Sequence, residues 1–394
     1  MSGSLNNIYN NVSYALYLHS VEMARLQEQT TTGSRINRPS DDPSAGYRVM
    51  ILNSQDKSLE NHINNLSEII GTLEFSSTII EDIASALTET KVRLTQIVGG
   101  IYHEEARERV AEGINDLLEQ IVSLANSKHM GQYLFGGGNT ASAPYLVERT
   151  NGRITSVTYQ GDSENRDIEV APGIKSSTVN VGNNIFCSDK RGEPIFLGDT
   201  GAKAGTGTSN VCGDTWLTVT GSAGNYTLSI DDGLSTFNTD GTDTNLAVTN
   251  STTGKVLYVD TTEINNAGVA LVRMPGTYDV FNTLISIRDI LKNERGLSDV
   301  QLQQLQNSSL TSLDEISGLL VQAETFIGSK IGFLDDLKDS LNNLKNNTED
   351  EATLLQEADI AQIAIDLSRR EVLYQMSLSI AGKLMSVSLL DFLE

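Results

Sequence analysis

The sequence has few positive charges and no long apolar run. Its 28 Lys and Arg stand against 51 Asp and Glu, which gives a formal net charge of −23. Such a charge argues against a nucleic-acid backbone or an anionic membrane surface as the partner. No apolar stretch approaches the ~18 residues that a membrane-spanning helix needs. The start of the chain, "MSGSLNNIYNNVSY", has neither the basic segment nor the apolar block of a cleavable signal peptide, so we expect neither membrane insertion nor secretion by the general route.

Residues that could carry chemistry are also scarce. The two cysteines, Cys187 and Cys212, exclude a disulfide-based scaffold; they either pair or are two unrelated small residues, and we favour the second interpretation. The four histidines lack metal-ligand spacing, and His19 is interpreted as a packing residue. The acidic segment 231–245 lacks the spacing of a calcium-binding loop, so a solvated turn cluster is favoured there over a calcium site. The sequence therefore predicts no enzyme, no cofactor and no metal site.

A heptad pattern extends from residue 49 to residue 98. Large apolar residues recur at intervals of seven, which is typical of a long helix with one buried seam. Paired glycines at 99–100 are unfavourable in a helix interior and predict its end. An amphipathic pattern over 110–124 predicts a shorter helix after them. The seam consists of Leu52, Leu59, Leu66, Leu73, Ile80, Leu87 and Leu94.

The same arrangement returns in reverse order at the other end of the chain. Residues 313–344 carry a second heptad seam, and the polar segment "NNTEDEA" at 346–352 predicts a break after it. Residues 353–394 then carry a further apolar row, which residues 1–32 mirror. The chain should therefore fold back on itself, with its two terminal helices side by side.

Between the helical arms, the segment 136–277 is rich in Gly, Thr, Ser and Asn and loses the helical period. Short stretches alternate apolar and polar residues, and turns such as "GSAGN" at 221–225 and "NSTTG" at 250–254 predict hairpins. The predicted strands are "RITSVTYQ" (153–160), "RDIEVAP" (166–172), "STVNV" (177–181), "TWLTVT" (215–220), "NYTLSI" (225–230), "NLAVT" (245–249) and "KVLYVD" (255–260).

The predicted fold class is thus an α+β multidomain protein. Its N- and C-terminal helices form an elongated coiled coil or bundle, and a central β-rich outer domain is inserted between them. Whether the outer domain divides into two lobes, 136–187 and 188–277, stays open. The predicted parts are a terminal coiled-coil domain (1–32 with 353–394), a connecting loop (33–47), a helical core (48–135 with 278–350) and the outer domain (136–277).

The terminal helices carry more apolar surface than they can cover in each other. An isolated helix of ~30 residues is marginal in water, and apolar residues lie off the main seams of both helices. We expect the pair to pack against copies of itself or relatives and to become ordered on assembly. One head-to-tail contact repeated without closure builds a helical filament; a self-contained coiled-coil stalk is the alternative. The predicted subunit-packing residues are Leu5, Ile8, Val12, Leu16, Met23, Leu26, Ile360, Ile363, Leu367, Tyr374, Leu378 and Met385.

The segment "TTGSRINRPSDDPSAGY" at 31–47 interrupts the helical pattern. Gly33 can end the first helix in the left-handed conformation, and Asp42 before Pro43 is a typical start of the next. Capping explains the helix ends but not the choice of a long, charged loop; the resemblance described next implies that the loop contacts neighbouring subunits, and we favour this interpretation over plain capping. The candidate interface or loop-fixing residues are Arg35, Asn37, Arg38, Asp41, Asp42 and Pro43.

Four motifs resemble the flagellin superfamily. "GSRINRPSDDPSAG" (33–46) is similar to the loop after that family's first helix, and its "RPSDDP" form is most similar to the hook–filament junction branch. "GQYLFGG" (131–137) resembles the exit from the helical core, and "YQGD" with "RDIEVAPG" (159–173) resembles the hairpin that opens the outer domain. The segment from "LLQEADIAQ" to "SLLDFL" (354–393) resembles the C-terminal helix. Residues 188–277 carry no match, and "MSGSLNNIY" departs from the family's commoner start.

The resemblance implies a structural subunit of the bacterial flagellum that joins hook-associated protein 1 to the filament. It implies an extracellular location at the hook–filament junction and export, unfolded, through the flagellum's own type III channel. The implied partners are hook-associated protein 1, flagellin, copies of the chain itself in a ring, and a cytoplasmic export chaperone that covers the C-terminal helix. Flagellin itself, the bulk filament subunit, is the alternative. An adhesin-like surface-binding module on a helical stalk is less favoured.

Overall fold

The computed structural model describes residues 2–98, 104–164, 167–177 and 180–393. The helices in these ranges are α1 (Ser2–Thr32), α2 (Pro43–Val98), α3 (Glu104–Ala125), α4 (Gly182–Phe186), α5 (Val280–Lys292), α6 (Asp299–Gln356) and α7 (Ile360–Leu393). The strands are β1 (Lys128–His129), β2 (Gln132–Tyr133), β3 (Tyr145–Thr150), β4 (Arg153–Tyr159), β5 (Asp167–Ala171), β6 (Ile174–Ser177), β7 (Ile195–Leu197), β8 (Lys203–Ala204), β9 (Gly213–Ser222), β10 (Asn225–Ser229), β11 (Phe237–Thr239), β12 (Leu246–Thr249), β13 (Val256–Asp260) and β14 (Gly268–Met274). Long helices at both ends and strands between them confirm the predicted fold class.

Two compact units divide the chain. The terminal unit comprises residues 1–64 and 337–394, and the central unit comprises residues 65–336. In the terminal unit, α1 packs against α7, which confirms that the two ends of the chain lie together. Arg48 near the start of α2 adds an ion pair to Glu351 near the end of α6, at 3.0 Å.

The heptad seam of α2 is buried in the central unit. Its members Leu66, Leu73, Ile80, Leu87 and Leu94 are fully buried, as the period of seven predicts. The matching seam of α6 is equally buried and consists of Leu313, Leu320, Ile327 and Leu334. Helix α2 ends at Val98, immediately before the two glycines that predicted its end; residues 99–103 lie outside the described part of the chain.

The predicted break at 346–352 is wrong, because α6 continues to Gln356. Asn, Thr and Asp are only mildly unfavourable in a helix and Glu is a good helix former, so a polar segment can remain helical when local contacts support it. Lys345 pairs with Glu349 at 2.5 Å one turn later. The Thr348 hydroxyl donates to the Leu344 carbonyl at 2.8 Å. The real break is the short junction 357–359.

Antiparallel strands build most of the inserted region. A five-stranded sheet has the order β11-β10-β9-β14-β7 and a three-stranded sheet has the order β12-β13-β8, while β3–β4 and β5–β6 are separate hairpins. The two predicted tight turns connect β9 to β10 and β12 to β13, so both hairpins are confirmed. The strand prediction over 177–181 is wrong at its end, because Val181 makes one isolated bridge to Gly136 and then precedes α4; residues 178–179 lie outside the described part.

A buried ion pair fixes the five-stranded sheet to the helix that follows it. The Arg273 guanidinium donates twice to the Asp214 carboxylate, at 2.9 and 3.1 Å, and both side chains are almost fully buried. Tyr278, just before α5, and Ser286 of α5 also donate their hydroxyls to Asp214, at 3.1 and 2.7 Å. Burial, with the Asp214 charge second, raises the pKa of the Tyr278 hydroxyl. The network therefore satisfies a carboxylate that burial alone would destabilise.

Both cysteines are free thiols in this structure, as the favoured interpretation predicted. Cys212 is exposed, whereas burial, and less strongly the nearby Asp279 carboxylate, raises the pKa of the Cys187 thiol to about 12. The acidic segment 231–245 is organised by hydrogen bonds. Asp231 accepts from the Ser229, Ser235 and Ser251 hydroxyls at 2.8, 2.5 and 2.7 Å, and these donors occupy both carboxylate oxygens.

Candidate assembly surface

The connecting loop begins where α1 ends. Gly33 adopts a φ of +69°, a left-handed conformation that glycine reaches without steric cost, and its N–H donates to the Gln29 carbonyl at 2.9 Å. The Gln29 side chain is buried and donates from Nε2 to the Arg35 carbonyl at 2.7 Å. The predicted C-terminal cap is confirmed, and Gln29 adds a second tie between the helix and the loop.

The same loop is hydrogen-bonded to the junction between α6 and α7. The Arg35 N–H donates to the Gln356 carbonyl at 2.6 Å, and the Ala358 N–H donates to the Gly33 carbonyl at 3.1 Å. The Arg35 guanidinium reaches the Leu355 carbonyl, also at 3.1 Å. Because Leu355 and Gln356 end α6, this cation lies at the negative end of that helix, where it is favourable. The two interruptions of the helical arms thus bind each other.

Two adjacent aspartates fix the second half of the loop. The Asp41 carboxylate accepts from the Asn37 and Arg38 backbone N–H groups, at 3.1 and 2.8 Å. The Asp42 carboxylate accepts from the Ala45 N–H at 3.0 Å and caps the start of α2. The hydrogen bond from the Ala45 N–H, opposed by desolvation and helped by Arg35, lowers the pKa of Asp42. Its predicted capping role is confirmed.

Part of the loop faces solvent. Arg38 is tied to Glu28 of α1 at 3.2 Å, but its side chain remains 68% exposed. An apolar groove of about 680 Å³ lies beside it, along the loop and the first turns of α2. Tyr47 and Met50 line this groove and are largely exposed. The contact role of Arg35, Asn37, Arg38, Asp41, Asp42 and Pro43 stays a prediction.

The inner side of the terminal helix pair is small. Leu26 of α1 packs with Ala358 and Ile363 in a buried cluster, and Leu367 lies partly buried against it. Further along, the Arg370 guanidinium lies 3.3 Å from the His19 imidazole Nδ1. Since arginine is only a donor, Nδ1 is the acceptor in this contact.

The outer side of the pair is apolar over several turns. Among the described side chains, four large apolar residues of α1 and seven of α7 are at least 38% exposed. By helical spacing, the four residues of α1 share one face, and Ile365, Val372, Met376 and Ile380 share one face of α7; exposed apolar faces of this kind mark interaction sites. We call these residues the outer stripe: Tyr14, Tyr17, Leu18, Val21, Ile360, Ile365, Val372, Leu373, Met376, Leu378 and Ile380.

The predicted subunit-packing residues fall into four groups. Leu26, Ile363 and Leu367 pack within the chain. Ile360 and Leu378 are exposed in the outer stripe. The side chains of Leu5, Ile8 and Met385 lie outside the described residues. The half-buried members are Val12, Leu16, Met23 and Tyr374.

Some residues of this surface were not predicted. Gln29 and Glu28 fix the loop from α1, but a glutamine and a glutamate in a helix carry no distinctive pattern. The Leu355 and Gln356 carbonyls act through the backbone, which a sequence does not display. Asp359 caps α7 by accepting from the Gln362 N–H at 3.0 Å. The spacing of that aspartate and Gln362 matches a helix start and was the available signal.

Comparison with known proteins gives the class. Residues 4–140 match the family described as the bacterial flagellin N-terminal helical region. This range contains α1, the connecting loop, α2 and α3, the elements that build or adjoin the surface described above. This part of the chain is similar to the flagellin superfamily.

Named relatives indicate the branch within that superfamily. The chain is 28% identical over 147 residues to flagellar hook-associated protein 3 of Salmonella typhimurium, covering 36% of this chain and 46% of that protein. It is 25% identical over 170 residues to the protein of the same name from Escherichia coli, covering 42% and 51%. The chain spans about half the length of the curated relatives it matches. These matches support the hook-associated protein 3 branch.

The fold is similar to that of a solved relative. The crystal structure of flagellar hook-associated protein 3 from Legionella pneumophila matches with a TM-score of 0.54, covering 78% of this chain and 98% of that one at 17% identity. At this identity the likeness shows the fold alone. Within the described residues, no helix combines the length and the apolar character that crossing a bilayer requires.

Proposed function

We propose that this protein is a structural subunit of the bacterial flagellum at the hook–filament junction, and that it assembles through its terminal helices. The observation that carries the proposal is the outer stripe on the paired helices α1 and α7. A pair whose described side chains form one small buried apolar cluster, with this much exposed apolar surface, is suited to completion by neighbouring molecules.

We also propose a role in the assembly for each predicted domain. Residues 1–32 with 353–394 form the inner contact layer, residues 48–135 with 278–350 form the core, and residues 136–277 form the outer surface. The connecting loop 33–47 holds the two helical interruptions together and offers Arg38 and the adjoining apolar groove to a neighbouring subunit. A fixed loop loses little conformational entropy on binding, so pre-organisation would favour assembly.

The proposed partners are hook-associated protein 1 on one side, flagellin on the other, and copies of the chain itself in a ring. Before export, a cytoplasmic chaperone would cover the C-terminal helix. The charge of the chain would keep the unassembled protein soluble, because like charges repel other copies until the apolar surfaces meet. The proposed location is extracellular, after export through the flagellar type III channel.

Charged substitutions in the outer stripe test this proposal. Ile365 and Met376 of α7 are 62% and 57% exposed, so I365D/M376D should leave the monomer folded. In cells that lack the native protein, the variant should be exported but should not restore filaments, because two carboxylates would be buried in the assembled contact. Electron microscopy of the hooks gives the readout.

A matched control variant distinguishes the effect of losing apolar surface in the outer stripe from the effect of adding negative charge. Gln375 lies on the same helix and is exposed, so Q375D adds a carboxylate next to the stripe at a polar position. We expect Q375D to restore filaments. Normal filaments with I365D/M376D would contradict the proposal, whereas a variant that is unfolded by circular dichroism would call for the milder pair I365S/M376S.

The flagellin alternative has one supporting observation. The chain is 26% identical over 134 residues to the flagellar filament 30.7 kDa core protein of Treponema maltophilum, covering 32% of this chain and 43% of that protein. Quantitative mass spectrometry of purified flagella distinguishes the two functions. A junction subunit is present in a few copies per flagellum at one position, whereas a bulk subunit rises in proportion to filament length.

A further inference from the structure

A cleft of about 490 Å³ lies in the central unit, far along the sequence from the assembly surface. Its walls are the turn between β3 and β4, strand β9 at Trp216, and the end of α5 with the residues that follow. This volume is within the range of small-molecule sites, which is roughly 300–1,000 Å³. Four cationic residues line the cleft: Arg153, Arg288, Lys292 and Arg295.

Two of these cations have close acidic partners. Arg288 is almost fully buried and lies 2.8 Å from the Asp289 carboxylate. Arg295 pairs with Asp232 at 2.8 Å, and its guanidinium stacks 4.8 Å from the centre of the Trp216 ring. These contacts hold both guanidinium groups in place and build the walls of the cleft.

Arg153 has a looser partner, the Glu294 carboxylate at 3.8 Å. The lining therefore contains four cations against three acids, Asp232, Asp289 and Glu294, which leaves one positive charge in excess.

Lys292 carries that excess charge. Its Nζ is buried and makes no hydrogen bond within the described part of the chain. Burial, followed by repulsion from Arg153 and Arg288, lowers the pKa of Lys292, and attraction to Glu294 and Asp289 opposes this shift only in part. A buried ammonium has three donors to satisfy, and leaving them unpaired is costly. The cleft thus holds a cation that its own residues do not neutralise.

We propose that this cleft binds a sugar-sized oxyanion, a carboxylate or a phosphate, through the Lys292 ammonium, which turns into the cleft when the ligand enters. Either group offers several oxygens to one ammonium and replaces the missing partner with a charge-assisted hydrogen bond. Threonine and asparagine side chains at the rim, including Thr150 and Asn151, supply polar groups for the rest of the ligand.

The net negative charge of the whole chain opposes the binding of small anions. A chain with a net charge of −23 repels small anions on average, so anion binding requires a local site. Nonspecific association with exposed lysines would weaken similarly for each lysine removed, whereas binding in the cleft depends on one side chain.

Calorimetric titration of the full chain with glucuronate, inorganic phosphate and glucose tests the proposal. We expect at least one of the two anions to bind and glucose not to bind at equal ionic strength; which anion binds identifies the acidic group. Lys292→Met should weaken binding at least tenfold. Lys175→Met, which removes an exposed lysine outside the cleft lining, should change the affinity less than twofold.

Thermal unfolding without ligand gives a second readout. Because Lys292 is an unpaired buried charge, Lys292→Met should leave the melting temperature unchanged or raise it; a lysine with a purely structural ion pair would give the opposite result. Failure of both anions to bind, equal binding of glucose, or unchanged binding by Lys292→Met would overturn the proposal.

If Lys292→Met fails to fold, the wild-type chain still provides the test. Amide hydrogen exchange in the β3–β4 turn at Asn151 and at the end of α5 should slow in the presence of the binding anion, while exchange around Lys175 stays the same. Equal exchange at the cleft with and without the anion would also overturn the proposal.

Discussion

Removal of the Leu26 side chain should loosen the terminal helix pair without affecting the central unit. Leu26 is 9% exposed and packs with Ala358 and Ile363, the only buried apolar cluster recorded between α1 and the α7 region in the described residues. Burying a leucine side chain is worth about 1.5–3 kcal/mol, and a residual cavity adds to its loss. This cluster lies at a surface and can partly collapse, so we expect Leu26→Ala to cost about 2–3 kcal/mol of local stability.

Amide hydrogen exchange is the suitable assay, because it reports the opening of one unit separately from the other. Exchange of amides in the second half of α1 and in the first turns of α7 should accelerate by roughly 30- to 150-fold, which corresponds to the expected free energy. Leu18→Ala on the same helix removes an exposed leucine and should change exchange little. Unchanged exchange in Leu26→Ala would refute the inference that this cluster holds the pair together.

Three further predictions concern other parts of the molecule. Asp42→Ala should destabilise the start of α2. Because the pKa of Asp42 is lowered in the folded chain, its contribution to stability is present above the ordinary pKa of 3.8 and is lost as pH falls through the folded value. The stabilities of variant and wild type should therefore converge in acid, and a stability difference that stays constant with pH would be contrary evidence. Arg273→Met should lower the free energy of unfolding by about 3–5 kcal/mol, because it leaves Asp214 buried and unpaired. In a denaturant titration, adding Asp214→Leu should recover much of that loss; no recovery would argue against the ion-pair explanation. Iodoacetamide should modify the exposed Cys212 well before Cys187, whose buried thiol has its pKa raised to about 12, and equal rates would contradict the described burial.

Periodic features of this chain could be predicted because they reflect one physical requirement repeated many times. Leu66, Leu73 and Ile80 recur every seven residues because each must reach the same buried seam. Gly33 and Asp42 could be predicted because few residue types suit a left-handed position or a helix start.

The sequence pattern predicted the end of α6 at the wrong place. A polar composition disfavours a helix only weakly, and Thr348 and Lys345 find partners within the helix itself. The break falls instead where the loop supplies alternative partners to the backbone, at Gln356 and Ala358. That choice depends on residues more than 300 positions away, so a local pattern does not contain it.

The cleft around Lys292 was beyond prediction from the sequence. Arg153, Trp216 and Lys292 are far apart along the chain and meet only because β4, β9 and α5 pack in one unit. A lysine at the end of an amphipathic helix is ordinarily solvated, and nothing local marks this one as buried.

The central claim is that the outer stripe is exposed in the monomer and covered in the assembled flagellum. Hydroxyl-radical footprinting followed by mass spectrometry measures this directly at Met376, which is 57% exposed, with the 76% exposed Met130 as a reference in the monomer. We expect Met376 to be oxidised readily in the monomer and to be protected in purified hook–filament junctions. Equal oxidation of Met376 in the two states would contradict it.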